Sequence, residues 1–296
     1  MRRLTVLRTG PQALVQDLGR PGYAHLGVPP SGALDVPALR LANRLAGNPE
    51  AAAGLEVLLG GLAVRANSSC TVVVTGPRVP VLRNGKPVGS HTPVHLASDD
   101  VLEIGTPEDG LRCYLAVSGG IAVEAELGSR STDLLSGIGP EPVRVDDELP
   151  LGPVTAPAVG VDVLAPTRVP AELVVPVLLG PRDDWFGSPS RQLADGRWAV
   201  SERSNRVGMR LTGTALERDA CFAGRELASE GIPTGGVQVP ADGQPVVFLA
   251  DHPTTGGYPV IGVVPAGELA ALAQARPGTA FRFRPQDQCG LDPLFR

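Results

Sequence analysis

Residues 229–264 read SEGIPTGGVQVPADGQPVVFLADHPTTGGYPVIGVV, and this stretch decides the fold class. Its apolar runs, residues 246–249 and 260–264, are short and rich in β-branched side chains, and they alternate with segments of glycine, proline and aspartate. Such runs, each ended by turn residues, are typical of β-strands, since a helix needs a longer apolar pattern. The stretch therefore predicts a sheet.

The same pattern extends outward through the rest of the chain. Glycine and proline, 37 and 30 of the 296 residues, are spread between short apolar runs and form no low-complexity block. Residues 83–86 read RNGK, and the Asn-Gly pair favours a tight type I′ hairpin turn. We therefore predict a mostly β protein. Other runs of the same kind are residues 71–75, 101–104, 113–117, 174–179 and 281–283.

Few segments have the spacing of helices. Residues 35–45 (DVPALRLANRL) place apolar side chains at helical intervals, with Asp35 as the N-cap. Residues 267–275 (GELAALAQA) predict a second, shorter helix. A third is expected near residues 183–186 or 188–194.

The length of the chain and one proline-rich segment predict two lobes. A chain of 296 residues exceeds the usual size of one domain. Residues 149–170 carry five prolines and no long apolar run, which is typical of a connection between domains. We place the boundary near residue 165, giving lobes of residues 1–165 and 166–296. Each lobe is expected to close into a barrel-like sheet, because closure removes exposed strand edges.

Composition excludes several classes of partner. The net charge is −5 and aromatic residues make up 4% of the chain, whereas nucleic-acid binders usually have a basic face with stacking aromatics. No apolar run approaches the roughly 18 residues of a membrane helix, and the run at residues 4–7 is too short for a signal peptide. The expected location is cytoplasmic, with neither nucleic acid nor membrane as a partner.

The four cysteines, Cys70, Cys113, Cys221 and Cys289, are far apart in sequence, and we expect them to be buried thiols.

Common catalytic and nucleotide-binding motifs are absent from the sequence. It has no G-x-x-x-x-G-K-[ST] loop, no G-x-S-x-G elbow and no H-E-x-x-H helix. His91 and His95 are four residues apart, but proline interrupts the strand-like segment between them, so they would not share a helical face. We predict no metal site at these histidines.

Two loops concentrate the residue types that acid–base chemistry uses. Residues 229–238 and 251–259 each place a carboxylate, Glu230 or Asp251, five residues before a Gly-Gly pair. The β run at residues 246–250 separates the loops and would bring both carboxylates to the ends of strands, where acid–base or substrate-positioning roles are natural. The alternative is a pair of ordinary hairpin loops.

Three further segments could contribute to a site. Residues 16–35 form a long polar loop with Asp17, Arg20, His25 and Ser31; the alternative is structural, with Arg20 paired to Asp17. Residues 118–131 combine a Gly-Gly step with Arg130, and residues 204–210 carry Arg206 and Arg210. Arginine suits the bidentate grip of a carboxylate or phosphate. The alternative for residues 118–131 is a β-bulge followed by a packed turn, and Arg206 and Arg210 could equally be surface arginines.

These motifs, in this order, resemble one family of proteins. The chain is similar to the family of the 5-oxoprolinase C subunit, also called KipA or allophanate hydrolase subunit 2, over about residues 4–284. Where that family often has DRQTTGGYPK, this chain has His252, Pro253 and Val260 at the differing positions. The segments that carry the resemblance are QDLGRPGYAHLGVPPSGALD (16–35), LEVLLGG (55–61), VSGGI (117–121), LGSRST (127–132), SNRVGMRL (204–211), SEGIPTGGVQVP (229–240), GQPVVFLAD (243–251) and TTGGYP (254–259).

The resemblance implies a fold, partners and an activity. The implied fold is two cyclophilin-like β-barrel lobes, and the implied partner is a KipI-like B subunit, with a separate A subunit opening the ring. The implied activity is ATP-dependent hydrolysis of 5-oxoproline to glutamate by the complex, with ATP and Mg²⁺ as cofactors and no activity of this chain alone. Two alternatives stay open: carboxyl transfer to urea or a related amide from carboxybiotin on another protein, and regulation by binding a KipI-like kinase inhibitor. The sequence has no Met-Lys-Met segment, so we expect no covalent biotin on this chain.

Residue type and clustering then suggest roles. Glu230 and Asp251 are the predicted catalytic groups, and Asp251→Asn is expected to lower turnover by about 10²–10⁴-fold with folding intact. The predicted substrate- or nucleotide-binding residues are Arg130, Arg206, Arg210, Gly235, Gly236, Gln238, Thr255, Gly256, Gly257 and Tyr258.

Overall fold

A computed structural model describes residues 2–159 and 168–286, which divide between two units. The first unit contains the residues up to Gly22 and those in Pro30–Val169, and the second contains Tyr23–Pro29 and the residues from Pro170 onward. The predicted boundary near residue 165 lies outside the described residues, so the division at that point stays a prediction.

The first unit is built from two antiparallel sheets. A six-stranded sheet has the order β11-β1-β4-β9-β6-β7, and a five-stranded sheet has the order β2-β3-β10-β5-β8. The strands are β1 (Arg3–Thr9), β2 (Gln12–Gln16), β3 (Gly54–Leu58), β4 (Leu62–Ala66), β5 (Cys70–Thr75), β6 (Val81–Arg83), β7 (Lys86–Val88), β8 (Val94–Leu96), β9 (Val101–Ile104), β10 (Arg112–Val117) and β11 (Glu148–Pro150).

The two sheets share one apolar core because their side chains alternate between faces. In β5, Val72 and Val74 point into the core between the sheets, while Val73 points to the opposite face. That opposite face is covered by helix α1 (Val36–Leu45), whose Ala42 packs with Val73. Because side chains alternate between the two faces along residues 71–75 (TVVVT), this one strand contributes to two apolar layers.

Two local features predicted from the sequence, a helix cap and a hairpin turn, are present in the first unit. The Asp35 carboxylate accepts a hydrogen bond from the Ala38 N–H at 3.0 Å, which caps α1. Asn84 and Gly85 have φ of 50° and 73° and join β6 to β7, as a type I′ turn requires.

The second unit is a closed barrel of seven strands in the order β12-β19-β16-β17-β14-β13-β20. Closure occurs where β12 pairs in parallel with β20 and antiparallel with β19. A separate two-stranded sheet joins β15 to β18. The elements are β12 (Glu172–Leu179), α2 (Pro189–Asp195), β13 (Trp198–Val200), β14 (Gly208–Gly213), β15 (Glu230–Gly231), β16 (Gly236–Gln238), β17 (Val246–Phe248), β18 (Thr255–Gly256), β19 (Val260–Val263), α3 (Leu269–Ala273) and β20 (Ala280–Gln286), with short 3₁₀ helices at Ala24–Leu26, Asp183–Trp185, Ala220–Phe222 and Ala266–Glu268.

The prediction of a mostly β protein with a few short helices is confirmed. The second unit closes into a barrel as expected, whereas the described strands of the first unit form two separate sheets that pack on one core. The expectation for the cysteines holds in part: Cys70 and Cys113 are buried thiols, and burial raises their pKa to about 11 and about 12. Cys221 is exposed, so that part of the prediction is wrong, because the 3₁₀ turn that carries it lies on the surface. Cys289 lies outside the described residues.

Within residues 2–159 and 168–286, no helix combines the length and the apolar character needed to cross a membrane.

Candidate functional site

The two Gly-Gly loops of the second unit lie against each other. Strand β15 in the first loop pairs with β18 in the second, with Glu230 opposite Gly256. Next to this pairing, the Ile232 N–H donates to the Thr254 carbonyl at 2.9 Å. The Gln238 side-chain amide donates to the Tyr258 carbonyl at 3.2 Å. We call residues 229–238 and 251–259 together the paired loops, since backbone and side-chain bonds join them into one surface.

Asp251, the first residue of the second paired loop, forms a buried ion pair with Arg206. The Arg206 guanidinium grips the carboxylate with two bonds, Nε to Oδ2 at 2.8 Å and Nη2 to Oδ1 at 2.9 Å. The two side chains are 2% and 0% exposed. Bidentate arginine–carboxylate pairs are strong and geometrically specific. Two residues predicted to contact substrate therefore contact each other.

The register of the barrel produces this pair. Strands β14 and β17 run antiparallel with Gly208 opposite Phe248, so the residue before β14 meets the residue after β17. The Asp251 N–H donates to the Arg206 carbonyl at 3.1 Å. Asn205 tightens the turn, because its Oδ1 accepts the N–H of Gly208 at 3.2 Å. The sequence placed both residues in candidate segments, but only the strand pairing brings them together.

Glu230, the other predicted carboxylate, is held by Arg182. The Arg182 Nε donates to Glu230 Oε2 at 2.9 Å, and Nη2 donates to Oε1. The carboxylate is about one third exposed, so it stays within reach of solvent. The hydrogen bond from Arg182 holds the pKa of Glu230 below its ordinary value and raises the pKa of Arg182 in turn. Sequence reasoning missed Arg182, which lies 48 residues away in the chain and carries no motif.

The glycines of the first loop serve the barrel backbone. Gly235 has φ of +83°, and a Cβ there would lie 2.4 Å from the Val264 carbonyl oxygen, so only glycine fits. Its N–H donates to the Phe248 carbonyl at 2.8 Å, and the Gly236 N–H donates to the Pro233 carbonyl at 3.0 Å. The N–H groups of both glycines, which were predicted to bind substrate or nucleotide, are thus engaged within the chain.

The second loop supplies the exposed part of the surface. Thr255 and Gly257 are exposed, Gly256 is half-buried, and the Tyr258 side chain is 47% exposed. Arg210, in contrast, lies on β14 with an exposed side chain while Arg206 is buried, so the two predicted anion clamps do not act as one. Thr255, Gly257 and Tyr258 of the second loop, and Arg210 on β14, are thus predicted binding residues that solvent reaches.

Arg130 belongs to the first unit, where it lies in a polar cluster around Asp17. The Arg130 N–H donates to Asp17 Oδ2 at 2.6 Å, and its Nε donates to the Val123 carbonyl at 2.7 Å. Ser129 and Ser131 donate to Asp17 Oδ1, each at 2.6 Å. The structural alternative of an Arg20–Asp17 pair is wrong, because Arg20 donates to backbone carbonyls of other residues.

His252, a histidine in the paired loops, was not among the site residues predicted from the sequence. His252 is 4% exposed, and its Nε2 lies 2.9 Å from the Thr234 hydroxyl while its Nδ1 lies 2.8 Å from the Pro253 carbonyl oxygen. Burial lowers the pKa of His252 below its ordinary value. The signal for it was its position directly after Asp251.

The implied magnesium ion would act with ATP at the level of the complex, so its site stays a prediction. Within residues 2–159 and 168–286, no group of three or more His, Cys, Asp or Glu side chains could hold a metal ion. Glu230 and Asp251 are each bound by an arginine. We therefore derive no step through a metal on this chain.

Comparison with known proteins gives concordant matches. Residues 26–285 match the model of the family described as "Carboxyltransferase domain, subdomain A and B". The chain is 37% identical to the C subunit of 5-oxoprolinase from Escherichia coli over 301 residues, which covers 99% of this chain and 93% of the relative. Among solved structures it is similar to TTHA0988 (TM-score 0.86, 35% identity, 96% of this chain and 56% of that one). It is also similar to the urea amidolyase of K. lactis (TM-score 0.87, 29% identity, 96% of this chain and 19% of that one).

Proposed function

Because the chain belongs to the family of carboxyltransferase domains, subdomain A and B, and is similar to the C subunit of 5-oxoprolinase along nearly all of that protein, we propose that it is part of an ATP-dependent 5-oxoprolinase. It helps to activate 5-oxoproline for ring opening to glutamate. The observation that carries the proposal is this near full-length match, since the urea amidolyase is several times longer than the chain.

The chemistry explains why such an enzyme needs ATP. A lactam is a poor electrophile, and transfer of a phosphoryl group to its carbonyl oxygen creates a good leaving group. The reaction also releases the proton of the lactam N–H, so a group that accepts a proton must lie near the substrate. The paired loops supply candidates on one surface of the second unit.

We assign the roles by exposure. Glu230 is the carboxylate proposed for acid–base work, because a third of it is exposed and Arg182 fixes its orientation. Thr255, Gly257 and Tyr258 are proposed to contact the substrate. Asp251 has both oxygens held by Arg206, so we propose that it supports the loop that it begins.

The proposed assembly contains further subunits. A KipI-like B subunit is the proposed stable partner, and an A subunit the proposed ring-opening partner; the lettered name of the similar E. coli protein supports a multi-subunit enzyme. A stable pair should bury roughly 1,200 Å² or more in total. Co-expression of this chain with a KipI-like B subunit should then give one species on size exclusion.

A second candidate function is carboxyl transfer to urea or a related amide. The family description and the likeness to a urea amidolyase favour it. Carboxybiotin would arrive on another protein in that case.

Reconstitution separates these functions. We expect the purified chain alone to hydrolyse neither ATP nor 5-oxoproline at a useful rate, and the complex to hydrolyse ATP when 5-oxoproline is added. Robust 5-oxoproline turnover by the isolated chain contradicts the subunit role. Carboxylation of urea by carboxybiotin on its carrier protein, without 5-oxoproline, supports the second candidate. Binding to a KipI-like protein without either activity supports the regulatory alternative.

A further inference from the structure

Thr234 and His252 form a hydrogen-bonded pair that links the two paired loops. Thr234 lies directly before the Gly235 turn, and His252 lies directly after the buried Asp251. The Thr234 hydroxyl is 2.9 Å from His252 Nε2. Thr234 is half-buried and His252 is buried, so Thr234 is the member of the pair that solvent reaches. The hydrogen bond thus joins a partly exposed residue that carries a hydroxyl to a buried nitrogen base.

The carbonyl of Pro253 fixes which imidazole nitrogen carries the proton. A carbonyl oxygen only accepts hydrogen bonds, so the Nδ1 that lies 2.8 Å from it must be the protonated nitrogen. In the neutral ring Nε2 is then unprotonated and accepts the hydrogen bond of the Thr234 hydroxyl. The oxygen of Thr234 keeps its lone pairs to accept a proton from a bound molecule. This order of donor and acceptor is the one a general base acting through a hydroxyl requires.

The surroundings keep the imidazole neutral. Burial lowers its pKa, while the hydrogen bond to Pro253 and the charge of Asp251 act in the opposite direction and are smaller. The carboxylate of Asp251 is bound to Arg206, which offsets its charge. The Phe248 ring, with its centroid 6.0 Å from that of His252, packs as an apolar neighbour. The unprotonated form is therefore present at neutral pH.

We propose that Thr234 and His252 are a proton relay that removes the N–H proton of an amide or lactam substrate. The inference rests on the proposed function and names the group that accepts the N–H proton in its first step, which is this relay and not Glu230. Thr234 touches the substrate, and His252 acts through Thr234.

For a lactam substrate, the N–H gives its proton to Thr234 Oγ. The Thr234 hydroxyl proton moves to His252 Nε2, and the ring becomes imidazolium. The nitrogen electron pair forms the C=N bond, and the carbonyl oxygen forms a bond to the γ-phosphorus of ATP. The bond between that phosphorus and the bridging oxygen of ADP breaks, and ADP leaves with that electron pair. Carboxyl transfer to an amide nitrogen would lose the same proton.

Three variants test the relay in the reconstituted complex. Thr234→Val removes the hydroxyl at equal volume, and Thr234→Ser keeps it. His252→Gln can still accept the hydrogen bond but cannot take the proton. We expect Thr234→Val and His252→Gln each to lower kcat by about 10²–10⁴-fold, and Thr234→Ser to stay within a few-fold of wild type. Exposed controls are Thr212→Val on β14 and His95→Gln on β8, which should retain full turnover.

Three further readouts separate a relay from a structural contact. The double variant Thr234→Val/His252→Gln should be no slower than either single variant, because the two residues act as one unit. The wild-type rate should fall in acid, with a midpoint below pH 6.5, and His252→Gln should lose this inflection. NMR of the isolated chain, in which His252 is one of only four histidines, should show Nδ1 protonated and an Nε2 signal that changes in Thr234→Val.

The outcomes are distinguishable. An active complex in which both variants keep normal turnover, or in which Thr234→Ser is as slow as Thr234→Val, overturns the relay alone. An Nε2 signal unaffected by Thr234→Val also overturns it. A wild-type complex that turns over neither 5-oxoproline nor urea contradicts the proposed function, and the relay with it.

Discussion

Substitution of Asp251 by asparagine should destabilise the second unit strongly. The change removes the charge but keeps the volume, so Arg206, 2% exposed, is left as a buried cation without its carboxylate. Removal of one partner of a buried ion pair typically costs about 3–5 kcal/mol. Against a total stability of about 5–15 kcal/mol for a domain, this is a large share. For a unit of this size it corresponds to a fall in Tm of roughly 10–20 °C.

Tryptophan fluorescence reports this unit selectively. The chain has two tryptophans, Trp185 and Trp198, and both are buried residues of the second unit. Urea unfolding followed by their emission therefore measures the second unit even if the first unfolds separately. A matched control is Asp195→Asn, because Asp195 pairs with Arg191 in a surface pair with a 3.4 Å contact that leaves the carboxylate 73% exposed. Such a pair within a helix contributes about 0.3–0.5 kcal/mol.

A double variant separates two effects of Asp251→Asn: the loss of the ion pair, and the burial of a charge that has lost its partner. Arg206→Met combined with Asp251→Leu removes both charges, and such replacements are often neutral or stabilising. We expect it to lose less stability than Asp251→Asn. The reasoning is refuted if Asp251→Asn unfolds like wild type while the complex loses about 10²-fold or more of its turnover. Asp251 would then be a catalytic residue, as the sequence pattern first suggested.

Three other outcomes follow from the same geometry. Gly235→Ala should lose several kcal/mol of stability, because its Cβ would meet the Val264 carbonyl oxygen at 2.4 Å, whereas Gly267→Ala, with open space around it, should be near neutral in urea unfolding. Glu230→Gln should cost its full amount of stability above about pH 4.5 and progressively less below it. Arg182 lowers the pKa of Glu230 in the folded state, so the stabilisation is complete above the ordinary value of 4.5 and is lost as pH falls through the lower folded value, which thermal melts across pH would show. Cys113, whose pKa burial raises to about 12, should resist alkylation in the native protein at pH 8 and react after denaturation, as peptide mass mapping would detect.

Local features of this protein were determined by the sequence itself. The alternation in residues 71–75 sends Val72 and Val74 to one face and Val73 to the other, because successive strand side chains point to opposite sides. Asp35 caps α1 through an atom three residues away, and Asn84-Gly85 turns a hairpin within four residues. Each of these depends on neighbours along the chain, so composition and spacing were enough to predict them.

The partners of the candidate site were decided only by the tertiary structure. Arg206 and Asp251 are 45 residues apart, Arg182 and Glu230 are 48 apart, and Thr234 and His252 are 18 apart. The sequence predicted both carboxylates, yet nothing local told which arginine each would meet. That choice depends on the register of β14 with β17 and on the pairing of β15 with β18. Strand register is set by the packing of a whole barrel face, so it becomes fixed only when the chain is folded.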